Sequence, residues 1–189
     1  LGGWMPIGAE ITRSGYEVAW KYQGSDLYTV WNTDSSGAYT GNAIGAVSGS
    51  STSLEALETS FHQDLNGDGV IGIPTTVIES LGTTSLVQSG ATYFMNPVGG
   101  GTGPQIKFGG SAVVVGQMGG WMPIGAEITS NGYEVAWKYQ GSDLYTVWNT
   151  DSSGAYTGNA IGAVSGSTQS LEALEISFHQ DLNGDGVIG

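Results

Sequence analysis

Residues 133–139 read YEVAWKY, and this run decides the fold of the chain. Large apolar residues alternate with polar or small ones, which is the two-residue period of a β-strand. The side chains that should share one face are Tyr133, Val135, Trp137 and Tyr139. A Gln-Gly-Ser turn at residues 140–142 leads into a second run at 143–149. Two strand-like runs on either side of a short turn predict a β-hairpin.

The sequence around this hairpin is rich in short strand-like runs separated by glycine-containing turns. The further predicted strands are 76–79, 85–88, 92–95, 105–108, 112–115 and 155–157. The predicted fold class is therefore mainly β.

One short helix is predicted near the end of each half of the chain. Residues 170–179 read SLEALEISFH, and the same pattern starts at Ser53. The apolar stripe at helical spacing consists of Leu171, Leu174, Phe178 and Leu182. Ser170 and Ser53 are expected to cap these helices, because a serine oxygen accepts the free N–H groups of a first turn.

The chain contains a long internal repeat. Residues 2–72 recur at 119–189, and five of the 71 aligned pairs differ, which leaves 66 identical. Residues 73–118 have no second copy. The simplest organisation is a complete repeat unit of about 117 residues at 73–189, preceded at 1–72 by the C-terminal portion of another unit. Tandem units of this kind are typical of arrays whose neighbours pack on each other.

Each predicted helix runs into the sequence DLNGDGVIG, at 64–72 and again at 181–189. It fits the first nine positions of an EF-hand-type loop (DxNxDG), whose oxygen atoms bind Ca²⁺. The predicted side-chain ligands are Asp64, Asn66 and Asp68 in the first copy and Asp181, Asn183 and Asp185 in the second. Val70 and Val187 would contribute backbone carbonyls, and Ile71 and Ile188 are expected to anchor the loops to the core. The sequence therefore predicts Ca²⁺ as the cofactor.

The loop departs from the full pattern at its end. Thr75 stands where an EF-hand has a bidentate glutamate, and the residues after it favour a strand. The missing ligands would come from Glu58 or Glu175 in the helices, from another loop or from water. The alternative is a metal-free turn, because Gly, Asn and Asp favour turns in any case.

Composition excludes several classes of partner. The formal net charge is −13 and Lys and Arg together number 4, so the chain should bind neither nucleic acid nor anionic lipid. No apolar run approaches the roughly 18 residues of a membrane span, so no membrane insertion is expected. The chain has no Cys, and bound metal is then a natural replacement for disulfides in an extracellular protein.

The aromatic residues admit two interpretations. All six Trp lie in the repeated block, at Trp4, Trp20, Trp31, Trp121, Trp137 and Trp148. Core packing is favoured over a sugar-stacking platform, because β units with few Leu need large side chains to fill their interior. Trp121 and Trp148 lie beside glycines or turns and are expected to be the more exposed. His62 and His179 are interpreted as helix C-terminal caps. Glu172 and Glu175 are interpreted as a solvated helix face, and no catalytic triad or thiol is present.

Three segments carry a family resemblance: GWMPIGAE at 120–127, GYEVAWK at 132–138 and YTVWNTD at 145–151, followed by the closing loop. Together they resemble the tryptophan-rich C-terminal domain family of large secreted cyanobacterial and proteobacterial proteins. The resemblance implies export, calcium and a place in cell-surface adhesins. It brings no catalytic residues.

The expected function is a calcium-stabilised structural repeat module of a secreted or surface-displayed bacterial fibre or adhesin, outside the cell. Its expected partners are neighbouring copies of the same repeat. The alternative is a carbohydrate-binding module that holds glycans on exposed Trp or Tyr. An enzyme is not expected.

Overall fold

The computed structural model describes residues 2–189. The chain divides into two compact units, the first ending at Pro74 and the second starting at Thr75. The prediction of a mainly β fold is confirmed, because antiparallel sheets dominate both units. Among the described residues, neither helix has the length and the apolar run that crossing a membrane requires. Whether the two units belong to a longer repeat array stays a prediction.

The first unit is a four-stranded antiparallel sheet followed by one helix. Its elements are β1 (Trp4–Ile11), β2 (Gly15–Tyr22), β3 (Tyr28–Asp34), β4 (Tyr39–Val47) and α1 (Thr52–Phe61). The strands lie in the sheet in the order in which they occur in the chain. Every pairing is therefore a simple hairpin between sequence neighbours.

The second unit contains the same sheet and helix, preceded by additional short strands. Its elements are β5 (Thr75–Glu79), β6 (Thr84–Ser89), β7 (Thr92–Pro97), β8 (Lys107–Phe108), β9 (Ser111–Ala112), β10 (Trp121–Thr129), β11 (Gly132–Tyr139), β12 (Tyr145–Thr150), β13 (Tyr156–Val164) and α2 (Gln169–Phe178). Strands β10 to β13 form a four-stranded sheet in sequence order, and β5 to β7 form a separate three-stranded sheet.

The hairpin predicted from residues 133–149 is confirmed as β11 and β12. The sequence pattern does not predict strand β10, because Pro123 and Gly125 interrupt the alternation of apolar and polar residues. A register shift lies between these two residues, so a β-bulge breaks the two-residue period. Strand β13 extends from the predicted 155–157 as far as Val164, through a stretch whose glycines hide the period.

The two helices are confirmed, but the predicted caps are wrong. The N-cap residues are Thr168 and Ser51, and neither makes a side-chain capping bond. Their backbones are extended, and the Thr168 carbonyl accepts the N–H of Leu171 at 2.8 Å. The N-caps therefore lie two residues before the predicted cap positions at Ser170 and Ser53.

One face of each sheet packs against its helix in the same way in both units. The fully or nearly buried residues are Ala19, Tyr28, Val30, Leu54, Phe61 and Leu65 in the first unit, and Ala136, Tyr145, Val147, Leu171, Phe178 and Leu182 in the second. Each of the second set is the repeat equivalent of one in the first. The helix side of the module is therefore determined by the repeated sequence itself.

The opposite face of the sheet differs between the units. In the second unit, Val135, Trp137 and Trp148 pack with residues of the 75–118 segment in one apolar cluster. The expectation that Trp148 is exposed is wrong, because it retains 9% exposure and Phe108 stacks on it with ring centroids 5.6 Å apart. Trp121 is half-buried and meets the edge of Tyr139.

Candidate metal centre

The acidic loop starts where the chain changes direction at the end of each helix. His62 and His179 are the C-cap residues and lie in the left-handed region, with φ of 51° and 54°. The His62 N–H donates to the Glu58 carbonyl, which closes the last turn. The interpretation of both histidines as C-caps is confirmed. This reversal places Asp64 and Asp181 two residues after the C-caps.

The first aspartate of the loop organises the backbone around itself. The Asp64 carboxylate accepts the N–H groups of Gly67 at 2.6 Å, Asp68 at 3.2 Å and Gly69 at 2.8 Å. In the second copy the Asp181 carboxylate accepts the three equivalent groups at 2.7, 3.2 and 2.8 Å. The five positions at which the two copies differ thus leave the loop geometry unchanged.

The next two predicted ligands are held by the same kind of bond. Asn66 Oδ1 accepts the Asp68 N–H, and Asp68 Oδ1 accepts the Val70 N–H, both at 2.8 Å. Asn66 Nδ2 donates to the Gly49 carbonyl at 2.9 Å, which ties the loop to the end of the sheet. Carboxylate and amide oxygens have two lone pairs each. At Asn66 Oδ1 and Asp68 Oδ1, a single backbone bond therefore orients the group and leaves an electron pair for a cation.

The loop lowers the pKa of its first carboxyl group. The N–H of Gly69 is the main cause at Asp64, with further contributions from Gly67 and Asp68. The pKa of Asp181 is lowered for the same reason, chiefly by Gly186. Hydrogen bonds to a carboxylate favour its charged form. Both groups are therefore ionised at neutral pH, as a calcium ligand must be.

Glu58 and Glu175, the helix carboxylates that could supply missing ligands, bind the backbone of the loop. Glu58 is fully buried, and its Oε1 accepts the N–H groups of Leu65 and Asn66 while Oε2 accepts that of Gly72. Glu175 makes the equivalent three bonds at 2.9, 3.2 and 3.1 Å. These bonds fasten the two ends of the loop to the helix. That either carboxylate also completes the ion's coordination stays a prediction.

The interpretation of Glu175 as part of a solvated helix face is wrong, since Glu175 is 1% exposed. One signal pointed to its position. Glu175 follows Leu171 by four residues and precedes Phe178 by three, so helical spacing places it on the apolar stripe. A carboxylate on a buried stripe needs donors, and the loop amides supply them.

The residue that anchors each loop is also different from the one predicted. Ile71 and Ile188 are 54% and 51% exposed, so they do not reach the core. Leu65 and Leu182, at the second loop position, are 5% and 4% exposed and belong to the helix-side clusters. The anchor lies beside the bonds from Glu58 and Glu175, which draw this part of the loop inward.

An acidic cleft lies beside the first loop. It encloses about 250 Å³ and is lined by Asp26, Glu55, Asn66 and Asp68, with the backbone of residues 49–50 and 67. Glu55 is 5% exposed, and burial raises the pKa of its carboxyl, with Asp68 and Glu58 as additional negative neighbours. This part of the unit is therefore strongly favourable for a cation.

Within residues 2–189, no three His, Asp or Glu side chains come together closely enough to hold a metal ion by themselves. The predicted ligand set is of another kind, with two carboxylates, one amide and one backbone carbonyl in each loop: Asp64, Asn66, Asp68 and Val70, then Asp181, Asn183, Asp185 and Val187. All are hard oxygen donors, which suits Ca²⁺ or Mg²⁺ and does not suit Zn²⁺. The chemistry of the loop thus fits the predicted ion.

Sheet, helix and loop define a class of small antiparallel β-modules closed by a helix and an acidic turn. The family model described as the tryptophan-rich Synechocystis species C-terminal domain matches residues 1–72 and 84–189. The chain belongs to this family. No characterised protein and no solved structure gives a significant match to the chain.

Proposed function

We propose that the chain is a calcium-stabilised structural module, repeated in tandem, of a secreted or surface-displayed bacterial fibre or adhesin. Its ligands are the loop oxygens of Asp64, Asn66, Asp68 and Val70, and those of Asp181, Asn183, Asp185 and Val187. No residue has a catalytic role in this proposal, and the partners are neighbouring copies of the same module.

The observation that carries the proposal is the hydrogen-bond pattern of the loop. Seven N–H groups of the first loop, those of residues 65–70 and 72, point at carboxylate or amide oxygens of Asp64, Asn66, Asp68 and Glu58. These bonds hold the oxygens in place before any ion arrives. A preorganised set of oxygens binds a cation without a further ordering cost.

Calcium would supply the positive charge that this region lacks. Asp64, Asp68, Glu55 and Asp26 lie in or beside one loop, and the chain has a net charge of −13. Extracellular calcium modules have dissociation constants of about 0.1–1 mM. At a calcium concentration about tenfold above that constant, linkage stabilises the fold by about 1.4 kcal/mol per site. In a calcium-poor cytoplasm this contribution would be absent, which is why the proposal places the module outside the cell.

The alternative of a carbohydrate-binding module rests on the half-buried aromatic side chains of the first unit, Trp20 and Trp31 with the exposed Tyr39. Their equivalents in the second unit, Trp137, Trp148 and Tyr156, are covered by the chain's own residues. This difference favours packing over sugar stacking.

The test is thermal unfolding of the protein in EDTA and in 5 mM CaCl₂, followed by circular dichroism. The expected result is an upward shift of several degrees in calcium, since about 1 kcal/mol moves the Tm of a domain of 60–100 residues by about 4–8 °C. Equal Tm values in the two buffers would reject the calcium assignment.

A matched pair of variants makes the test specific. Asp64→Asn and Asp181→Asn each remove one loop charge and keep the side-chain shape, so each should lose part of the calcium-dependent shift. Asp34→Asn, at the half-buried last position of β3, removes an equal charge away from the loop and serves as the control. A control variant that loses as much of the shift as the loop variants would show general charge screening by calcium.

A further inference from the structure

The uncovered face of the first sheet has an identical, covered counterpart. We define the tryptophan face as the surface formed by Val18, Trp20 and Trp31, which are all half-buried. Their equivalents Val135, Trp137 and Trp148 are 0%, 1% and 9% exposed. Val18 lies opposite Trp31, and Val135 lies opposite Trp148, so both faces have the same register. The difference in burial must come from what covers them.

The cover in the second unit is the segment 75–118, which contains β5 to β9 and is called the meander below. Its residues Leu86, Met95, Ile106 and Val113 are completely buried and form one cluster with Val135, Trp137 and Trp148. Phe108 adds an aromatic contact, stacked on Trp148 and 5.4 Å from the ring centroid of Tyr156. The identical residues Val18, Trp20 and Trp31 belong to no buried cluster within residues 2–189.

Polar contacts fix the position of the meander on the sheet. The Glu127 carboxylate accepts the N–H and the Oγ1–H of Thr83, at 2.8 and 2.9 Å. Thr84 Oγ1 in turn accepts the N–H of Ile128 at 3.0 Å. Glu127 is 4% exposed, so these bonds satisfy a buried charge. They also set the register in which the meander docks.

A backbone bond secures the far end of the meander. The Lys107 N–H donates to the Gly154 carbonyl at 2.8 Å, and Lys107 pairs with Ala155 as a parallel bridge. The contact is close enough that a Cβ on Gly154 would lie 2.0 Å from the Gln105 carbonyl. The equivalent Gly37 has nothing within 4 Å of that position.

In the first unit, the residues equivalent to those that hold the meander are less buried. Glu10 is half-buried, and no hydrogen bond to its carboxylate occurs within residues 2–189. Pro6 and Ala9 are exposed, whereas Pro123 and Ala126 are buried. The pattern is that of the same binding surface in an uncovered state.

We propose that the tryptophan face, together with Glu10 and Gly37, is a docking site for a second meander of the 75–118 type, located in the same polypeptide on the N-terminal side of residue 2. The occupant is identified by the surface: it must bring buried aliphatic residues for Trp20 and Trp31, a Thr-Thr pair for Glu10 and a free N–H for the Gly37 carbonyl. Residues 119–120 connect the meander to β10, and the identical pair 2–3 precedes β1. The inference rests on the repeat organisation of the proposed function and is independent of calcium.

The experiment extends the chain with a second copy of residues 73–118 placed directly before Gly2, so that the link to β1 reproduces the link to β10. The readouts are tryptophan emission and its quenching by acrylamide, a neutral quencher that the negative charge of the chain does not repel. Docking predicts emission at shorter wavelength, weaker quenching and a higher Tm of the first unit than in the unextended protein.

The control is the same extension with Asp at the added positions equivalent to Met95 and Ile106. This control should keep the emission and quenching of the unextended protein, while circular dichroism shows that both original units remain folded. If the unmodified extension also leaves quenching unchanged, the docking proposal is overturned.

Two further outcomes would overturn it in favour of another occupant. Sedimentation of the unextended protein as a dimer with protected tryptophans would assign the face to a second copy of the chain. An emission shift of the unextended protein with cello-, chito- or xylo-oligosaccharides would assign it to glycans. Each measurement is made in EDTA and in calcium, so that failure of docking is distinguished from failure of the calcium site.

Discussion

The two four-stranded sheets have nearly the same sequence and the same strand pairing, yet they differ in what they bury. On the helix side, Leu54 and Leu171 are both completely buried. On the opposite side, Trp137 is 1% exposed while its equivalent Trp20 is half-buried. The comparison shows that the repeated sequence determines the sheet and its helix contact. Burial of the tryptophan side is determined by the neighbouring segment.

The largest effect is expected from removing the paired tryptophans. Trp137→Ala should destabilise its unit by about 3–5 kcal/mol, the range for a large aromatic lost from a packed core. Trp20→Ala should cost clearly less, because its face already contacts solvent. Urea unfolding of both variants measures the difference. Equal losses would break the comparison, since they would mean that the two faces are packed equally well.

The second largest effect is expected at Glu58 and Glu175, a pair of equivalent residues at which the two units should behave alike. Glu58→Gln and Glu175→Gln each replace a buried acceptor of three N–H groups by an amide that can accept with one oxygen. Leaving a buried donor unpaired costs about 1–3 kcal/mol. Unfolding in EDTA should show the same loss for both variants. A loss that appeared only in calcium would instead show that these carboxylates bind the ion.

The third effect is expected to differ between the units, at the equivalent residues Glu127 and Glu10. Glu127→Gln disturbs the bonds from Thr83 and should cost about 1–3 kcal/mol, whereas Glu10→Gln, which has no such partner, should stay within about 0.5 kcal/mol of the parent. Thermal unfolding of the two variants is the measurement. In the chain extended by a second meander, Glu10→Gln should become as costly as Glu127→Gln, and an unchanged effect there would count against docking.

The smallest effect concerns pH. Burial raises the pKa of the Glu55 carboxyl in the folded state above its value of about 4.3 in the unfolded chain. The stability that this group contributes is therefore fully present below about pH 4.3 and is lost as the pH rises through the pKa of the folded state. Glu55→Gln should therefore be more stable than the parent at pH 7 in EDTA, and the difference should vanish near pH 4.

The matched control is Glu172→Gln, at the equivalent but only half-buried position, which should change the Tm less. A parent protein that is more stable than Glu55→Gln at pH 7 in EDTA would contradict the assigned cause of the pKa shift. If the variant is also weaker in its calcium response, the acidic cleft takes part in holding the ion.

Local patterns predicted the parts of the fold that depend on local interactions. Strict alternation in residues 133–139 was sufficient for the hairpin, and the spacing of Leu171, Leu174 and Phe178 was sufficient for the helix. Strand β10 was missed because Pro123 and Gly125 form a bulge, and a bulge removes the period that identifies a strand. The spacing of Asp, Asn and Asp marked the loop, whose backbone geometry follows from Asx-type hydrogen bonds within a few residues.

Other features depend on contacts that no local pattern contains. Trp148 lies beside a turn, and its burial depends on packing with the 75–118 segment, including Phe108. Glu58 and Glu175 are two of the possible sources of the missing ligands because they are acidic and near the loop. Their bonds to the loop backbone depend on the direction of the chain after His62 and His179, which a sequence pattern does not specify.

The consecutive strand order has a consequence for how such a chain folds. Since each strand pairs only with the next one, contacts within a sheet close short stretches of chain, and folding from local contacts is fast. Two adjacent copies that are almost identical would otherwise be at risk of exchanging strands during folding. Rapid closure inside each copy shortens the time in which unpaired strands of one copy can meet those of the other, so the topology protects a repetitive polypeptide from entanglement with itself.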